Sequence, residues 1–375
     1  MSGTTGSTSV RPTDLKAVRD AVLDTAGPIA IAGAGTAADW AGDLDPVDTV
    51  LDTTGLTGVI THNPGDMTVA VRAGTPLRAL QDELSPHGQH VSFDAARVAD
   101  GATVGGLVAT ADAGPAALVF GSLRDLVIGV TIVLADGSVA RGGGHVIKNV
   151  AGYDLAKVLH GSYGAFGVLA EVVLRLHPVP RASTTIALPC PLEGAGERAA
   201  RILGGPYEPA ALEWVSDDGG RLLVRLEGTR DALPARAERI RELLGPEAAD
   251  TPDDVWERHA GLVRGSAEGA VLRIGARPSR LPDLLSRLRW RTATAGLGSG
   301  AATVELPVDA VVEAHGLVHE AGGTSVLRRR PDGAGLPGWG PPLSALAVLT
   351  ALKRELDPEG RFGPGRFSPW IQGAP

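Results

Sequence analysis

The sequence predicts an α+β protein of two domains, the second built on an antiparallel sheet covered by helices. Three observations carry this. From residue 29 to about 178, short β-type runs alternate with helical ones and are interleaved with glycine-rich turns. Pro178 and Pro180 then mark a change of composition. Beyond them the order becomes strand, helix, hairpin, helix, a pattern that suits an antiparallel sheet with helices on one face. The expected division is a flexible lead over 1–12, a first domain over 13–180, a second over 181–331, and a segment over 332–375 that returns to the first.

The elements follow in chain order. Residues 1–12 are rich in Ser, Thr and Gly and hold no apolar run, so they read as a flexible lead and not as a signal peptide. A strand over 29–32 enters Gly33-Ala34-Gly35-Thr36. The following stretch, 37–48, contains Asp39, Gly42, Asp43, Asp45, Pro46 and Asp48, which disfavours a sustained helix. A strand over 69–73 precedes a helix over 75–85, with Thr75 as cap, Pro76 in the first turn, and Leu77, Leu80 and Leu84 on one face. Asp136-Gly137 joins strands 127–134 and 139–141 as a hairpin. A short helix over 154–159 breaks at Gly161, and 165–177 alternates as a long strand. The second domain reads as a strand from Thr184, a helix over 194–203, a hairpin of 211–215 and 222–226, a helix over 235–244, and further strands and helices that include 308–321. After the linker 331–342, a helix over 343–356 and a tail over 357–367 close the chain. Trp214, Trp256 and Trp290 read as core.

Composition excludes several functions. The 375 residues are 43% hydrophobic with a net charge of −8, which argues against a nucleic-acid surface or an anionic membrane as the main partner. The single cysteine, Cys190, excludes an internal disulfide and a cysteine-ligated iron–sulfur cluster. No run approaches the roughly 20 apolar residues of a spanning helix, so the expected location is cytoplasmic, with membrane association only through partners.

The 51 glycines are densest between 101 and 178, where backbone must take positive φ or approach something large. Gly33-Ala34-Gly35-Thr36-Ala37-Ala38 matches the G-x-G-x-x-A dinucleotide fingerprint, and Asp52 lies roughly 20 residues downstream. Taken alone that favours NAD, but the fingerprint requires a helix where 37–48 disfavours one. The segment fits a loop between two short strands, whose N–H groups form a nest for a pyrophosphate. Alone it fits a tight turn at a strand end equally well.

Read in order, 29–36, Gly101-Ala102-Thr103-Val104-Gly105-Gly106, 124–129, Lys148-Asn149-Val150-Ala151-Gly152-Tyr153-Asp154-Leu155, 161–169 and 357–366 resemble the vanillyl-alcohol oxidase, or PCMH-type, FAD-binding family. Within it they are most similar to the FAD-binding subunits of bacterial glycolate oxidases. The resemblance is weak between 184 and 331. It implies a PCMH-type domain of two α+β subdomains with FAD between them. The pyrophosphate would lie on Gly33, Ala34, Gly35 and Thr36, with further cofactor contacts from Thr103, Val104, Gly105, Gly106, Gly164, Phe166, Gly167 and Val168. Arg124, Asp125 and Arg366 join this set, although Arg124 and Asp125 also suit a surface pair. Gly363 stands where the family pattern has Asn, which removes one side-chain donor. Some relatives attach the flavin through His or Cys; here Asp39 and Trp40 lie near the loop and Cys190 lies outside the motifs, so FAD is expected to be non-covalent.

Oxidising a hydroxy acid at a flavin needs a cation for the carboxylate and a base for the hydroxyl proton. The candidates are Lys148, Arg124 and Arg366 for the first and His145 or Tyr153 for the second. His315 and His319 have metal-binding spacing but no clear third ligand, so they read as a solvated helix face and no metal is expected. The resemblance implies a subunit working beside a second FAD-binding catalytic subunit and an iron–sulfur subunit on a small hydroxy acid. A stand-alone FAD dehydrogenase of another small alcohol or hydroxy acid, and a non-catalytic assembly protein, are the alternatives.

Overall fold

The computed structural model describes residues 7–146, 154–342 and 344–371. Three sheets form in the glycine-rich part, the smallest pairing Gln89–His90 with His177–Pro178. Thr8–Val10, Thr49–Asp52 and Ile29–Ala32 make a parallel three-stranded sheet with Thr49–Asp52 at its centre. Val59–Asn63, Thr68–Arg72, Val168–Arg175, Val127–Val133 and Val139–Gly143 make an antiparallel sheet in that spatial order. Its alternating Val69, Val71, Val130, Ile132, Val172 and Leu174 meet Leu77, Leu80 and Leu84 of helix Leu77–Leu84 in one core. Burying each such side chain contributes about 1.5–3 kcal/mol. Thr75 departs from its expected capping role: Pro76 stands at the cap without a side-chain bond, and Thr75 Oγ1 accepts from the Gly58 N–H at 2.9 Å.

The rest of the chain forms one antiparallel eight-stranded sheet, ordered Ala249–Thr251, Ala182–Pro189, Arg221–Gly228, Ala211–Val215, Thr292–Gly296, Ala301–Leu306, Ala270–Gly275 and Thr324–Arg329. It is a duplication. Each half runs strand, helix, strand, strand, helix, strand, with spatial order 4-1-3-2. The halves join where their second strands pair, Glu213 opposite Gly296 and Val215 opposite Thr294. No fixed period in the sequence shows this, because the topology repeats while the side chains do not.

Helices Leu192–Leu203, Leu233–Leu244, Leu281–Ser286 and Val311–Glu320 pack on one face of this sheet, against Ile186, Leu188, Leu222, Val224, Leu272 and Ile274. The intervening residues of the same strands point the other way. There Ala187, Val215 and Leu223 meet Val255 and Trp256 of helix Val255–Arg264, which lies in sequence between the two halves. One helix therefore lies on the face expected to be bare. His315 also departs from expectation: it is buried, its Nδ1 2.7 Å from Ser325 Oγ and its Nε2 3.2 Å from the Pro337 carbonyl, while His319 is exposed.

The C-terminal tail returns to the three-stranded sheet. The Ile29 N–H donates to Arg361 O at 2.7 Å and the Gly363 N–H donates to Ile29 O at 3.0 Å. Asp357 holds this return. Its Oδ2 accepts from the Phe362 N–H at 2.7 Å and from Lys353 Nζ at 2.5 Å, and its Oδ1 accepts from the Arg361 N–H at 2.9 Å. Asp357→Ala leaves the Lys353 ammonium buried without its counter-charge. We expect it to lower unfolding free energy by about 3–5 kcal/mol in denaturant titrations; a loss below about 1 kcal/mol would show that the tail is held by other contacts.

Candidate functional site

Strand Ile29–Ala32, helix Val104–Ala109 and the turn after helix Leu155–Leu159 converge on a cavity of about 310 Å³. Gly33, Ala34, Gly35, Thr36, Thr103, Gly105, Gly106, Gly164, Gly167 and Arg366 all line it, together with Thr110, Ser162 and Tyr163. The first loop and the second glycine segment look alike in sequence but differ in what their backbones have to spend. The Val104, Gly105 and Gly106 N–H groups donate to Thr75 O, Ala73 O and Thr103 Oγ1. Gly105 serves close packing, since a Cβ there would lie 2.8 Å from the Ala73 Cβ. Among the described residues, the N–H groups of Ala34, Gly35, Thr36 and Ala37 have no hydrogen-bond partner. Gly35 takes φ +74° with nothing within 4 Å of a Cβ position, so this turn faces open space. Successive free N–H groups in such a turn form an anion-binding concavity.

Behind that loop lies a buried ionic cluster that sequence reasoning missed. Arg97 donates to Asp112 Oδ2 at 2.9 Å, to Thr36 Oγ1 at 2.9 Å and to Thr110 Oγ1 at 2.7 Å. Arg328, from the last strand of the eight-stranded sheet, donates to Asp112 Oδ1 at 2.7 Å. Val271 pairs with Arg329 and Leu272 with Leu327, so Arg328 occupies a bulge that turns it out of the ladder. Both guanidinium groups lie over the Trp40 ring, 3.9 and 4.0 Å from its centroid. No motif marks these residues, because Asp112 and Arg328 stand 216 positions apart.

The remaining predicted residues fall elsewhere. Val104, Phe166 and Val168 are core, at 1%, 1% and 0% exposure, and do not line the cavity. Arg124 and Asp125 are exposed; Asp125 closes a capping box with Ser122, and the Arg124 carbonyl accepts from Lys157. They behave as the surface pair and not as cavity residues. His145 is also away from the cavity, its Nδ1 2.8 Å from Thr68 Oγ1 and 3.2 Å from Asn63 Nδ2. Lys148, Asn149 and Tyr153 lie outside the described residues. Arg366 lines the cavity and uses Nη1 to hold the carbonyls of Ala38, Trp40 and Gly42. Gly363 takes φ +52°, a conformation Asn also tolerates, which explains the exchange with the family's Asn. Asp52, the acid of the NAD reading, caps the turn Thr53–Gly55 by accepting from the Thr54 N–H.

A family model described as "FAD binding domain" matches residues 8–143. The glycolate oxidase subunit GlcE of Escherichia coli (strain K12) is 33% identical over 318 residues, covering 83% of this chain and 84% of its own length. The chain belongs to this FAD-binding family. The glycolate oxidase subunit GlcD of Bacillus subtilis (strain 168) is 35% identical over 37% of this chain and 29% of its own length. A D-lactate dehydrogenase of Archaeoglobus fulgidus is 35% identical over 42% of this chain and 35% of its own length. Two solved structures of alkyldihydroxyacetonephosphate synthase share the fold, with TM-scores of 0.68 and 0.70 at 16% and 14% identity, each covering 95% of this chain and 76% of theirs. The protein is thus an FAD-dependent oxidoreductase by family, and the PCMH-type fold is the one predicted.

The cavity suits this cofactor. It offers four unpartnered N–H groups to a diphosphate and a largely apolar remainder, with Ile31, Leu44, Val50, Leu159 and Leu169, to flat rings. Asp112 reaches this cavity through Arg97, which also holds the lining residues Thr36 and Thr110. Burial opposes the Asp112 charge, but Arg328 and Arg97 outweigh it and hold the carboxyl below its ordinary range. The stability this contributes is present above the ordinary carboxylate value of about 4 and is lost as pH falls through the lower folded value. Asp112→Asn is expected to lose about 3 kcal/mol at neutral pH and to show a shallower acid limb than wild type in unfolding midpoints; parallel acid limbs would exclude Asp112 as the source.

Proposed function

We propose that this chain is the FAD-binding subunit of a complex that oxidises a small 2-hydroxy acid, glycolate in the first instance, and passes electrons to an iron–sulfur partner. The observation that carries this is the turn of free N–H groups over 34–37 at the head of the cavity, in a chain 33% identical to a glycolate oxidase subunit over 83% of its length. Residues 13–180 and 332–375 form the FAD domain in this reading, and 181–331 the domain that covers it. The N–H groups of Ala34, Gly35, Thr36 and Ala37 hold the diphosphate. Thr103, Gly105, Gly106, Gly164 and Gly167 shape the walls, and Arg366 keeps the 38–42 backbone in place. Bound FAD supplies the acceptor for the hydride released from the alcohol carbon. No His or Cys lines the cavity among the described residues, which supports non-covalent attachment.

An iron–sulfur cluster needs cysteines this chain does not have: Cys190 is single and buried. The cluster, and a second catalytic flavin subunit, therefore belong to partners. No described helix is long and apolar enough to cross a membrane, so any membrane association in this reading also comes through them. The chemistry of the oxidation keeps Lys148 as a candidate partner for the substrate carboxylate and Tyr153 as a candidate acceptor for the hydroxyl proton.

Two measurements test the reading. Acid precipitation of the purified chain is expected to release its flavin to the supernatant, and Gly35→Val to lower flavin content at least tenfold while leaving the circular dichroism spectrum unchanged. Retention of full flavin by that variant would move the diphosphate off the 34–37 turn. An anaerobic glycolate titration of the visible flavin band then separates roles: bleaching in the isolated chain means it oxidises substrate alone, and bleaching that requires co-expressed partners means it works within a complex.

A further inference from the structure

A second cavity, of about 110 Å³, lies between the eight-stranded sheet and residues 94–115. By the same measure a water needs about 10–15 Å³, so there is room for a small organic molecule. Its walls include Glu213, Arg273, Thr294 and Ser299 from the sheet side and His259 from helix Val255–Arg264. The sheet's alternation explains why polar groups collect here. Leu272 and Ile274 enter the helix-covered core, so Arg273 between them must point to the opposite face.

Arg273 is unlike its neighbours. Arg97 and Arg328 share Asp112, Arg225 meets Asp94 at 2.8 Å, and His259 Nε2 lies 3.3 Å from Glu213 Oε2. Among the described residues, Arg273 makes one hydrogen bond, to Thr303 Oγ1 at 3.3 Å, and no carboxylate stands within 4.0 Å of it. Burial, and after it the charge of Arg328, pushes its guanidinium down to about 10, which still leaves it charged at neutral pH. Arg273 is half-buried, and Asp112 and Glu213 act on it only from beyond ion-pair distance; its planar fork is therefore left to take a carboxylate directly.

We propose that Arg273 anchors the carboxylate of a small acid in this cavity, with the Glu213–His259 pair offering polar partners to a neighbouring hydroxyl. The identification of that acid as a 2-hydroxy acid rests on the function proposed above; the anion site itself does not. It takes the carboxylate-holding role from Arg124 and Arg366, since Arg124 is on the surface and Arg366 is committed to backbone carbonyls.

The test is isothermal titration calorimetry on the flavin-loaded chain. The probes are oxalate, which carries a carboxylate but no oxidisable C–H, and acetate. Wild type is expected to bind oxalate, Arg273→Lys to bind it at least tenfold more weakly, and Arg273→Met not at all, with flavin content unchanged. Ala301→Leu, which fills the cavity from the next strand and leaves Arg273 intact, is expected to abolish binding and covers the case in which the Arg273 variants do not fold. Undiminished binding in Arg273→Met or Ala301→Leu overturns the proposal. So does a wild-type chain that holds flavin but binds neither probe, and in that case the FAD-subunit reading still stands. A chain that holds no flavin but binds oxalate through Arg273 overturns the FAD reading and keeps the anion site.

Discussion

The structure hangs on one buried carboxylate. Asp112 accepts from Arg97 on one oxygen and from Arg328 on the other, and these two arginines come from distant parts of the chain, the turn Ala96–Val98 and the strand Thr324–Arg329. Arg97 also reaches Thr36 in the candidate diphosphate turn, while Arg328 belongs to the edge of the eight-stranded sheet. The Trp40 ring packs against both guanidinium groups. A single anionic group thus ties the candidate diphosphate turn to the eight-stranded sheet. Removing it strands two buried cations, so the arrangement has a steep penalty for partial assembly.

Around that tie the chain divides its glycines between two uses that look identical in one dimension. Gly105 allows backbone to approach backbone, and the N–H groups beside it are consumed in holding helix Val104–Ala109 to the Thr75 and Ala73 carbonyls. Gly35 allows backbone to turn with φ +74°, and the N–H groups beside it are left for a ligand. The difference is decided by what lies across the gap. For Gly105 it is the end of strand Thr68–Arg72; for Gly35 it is the cavity.

The eight-stranded sheet contributes two chemically distinct faces. One is an apolar core under four helices. The other carries Glu213, Arg225, Arg273, Thr294 and Thr303 and meets the rest of the protein through ion pairs, Arg225 with Asp94 and Arg264 with Asp100. Buried polar groups are tolerated only when they pair with one another or with something bound. Arg273 stands apart on this face because Arg225 and the Glu213–His259 pair each have a charged partner, whereas among the described residues no carboxylate lies within 4.0 Å of Arg273.

The sequence by itself determined the local elements and the cofactor class. Leu77, Leu80 and Leu84 specify a helix face, Asp136-Gly137 specifies a hairpin, and the ordered glycine segments specify the FAD family, because each depends on residues close together in the chain. It also excluded a sustained helix after Gly35 from the Pro and Asp content of 37–48, and the structure has turns there. Tertiary structure alone decided which side chains meet. Alternation along a strand tells that Arg273 and Leu272 face opposite ways but not which face is covered, so polar residues at 213, 225 and 273 read as ordinary surface until the sheet is docked. The Asp112 cluster joins residues from 97 to 328, and His145, Arg124 and Asp125 left the site because proximity in sequence to a cofactor motif does not aim a side chain into the cavity. Periodicity and turn chemistry act over a few residues, whereas burial and charge pairing are set by whatever the fold brings across from a distant part of the chain.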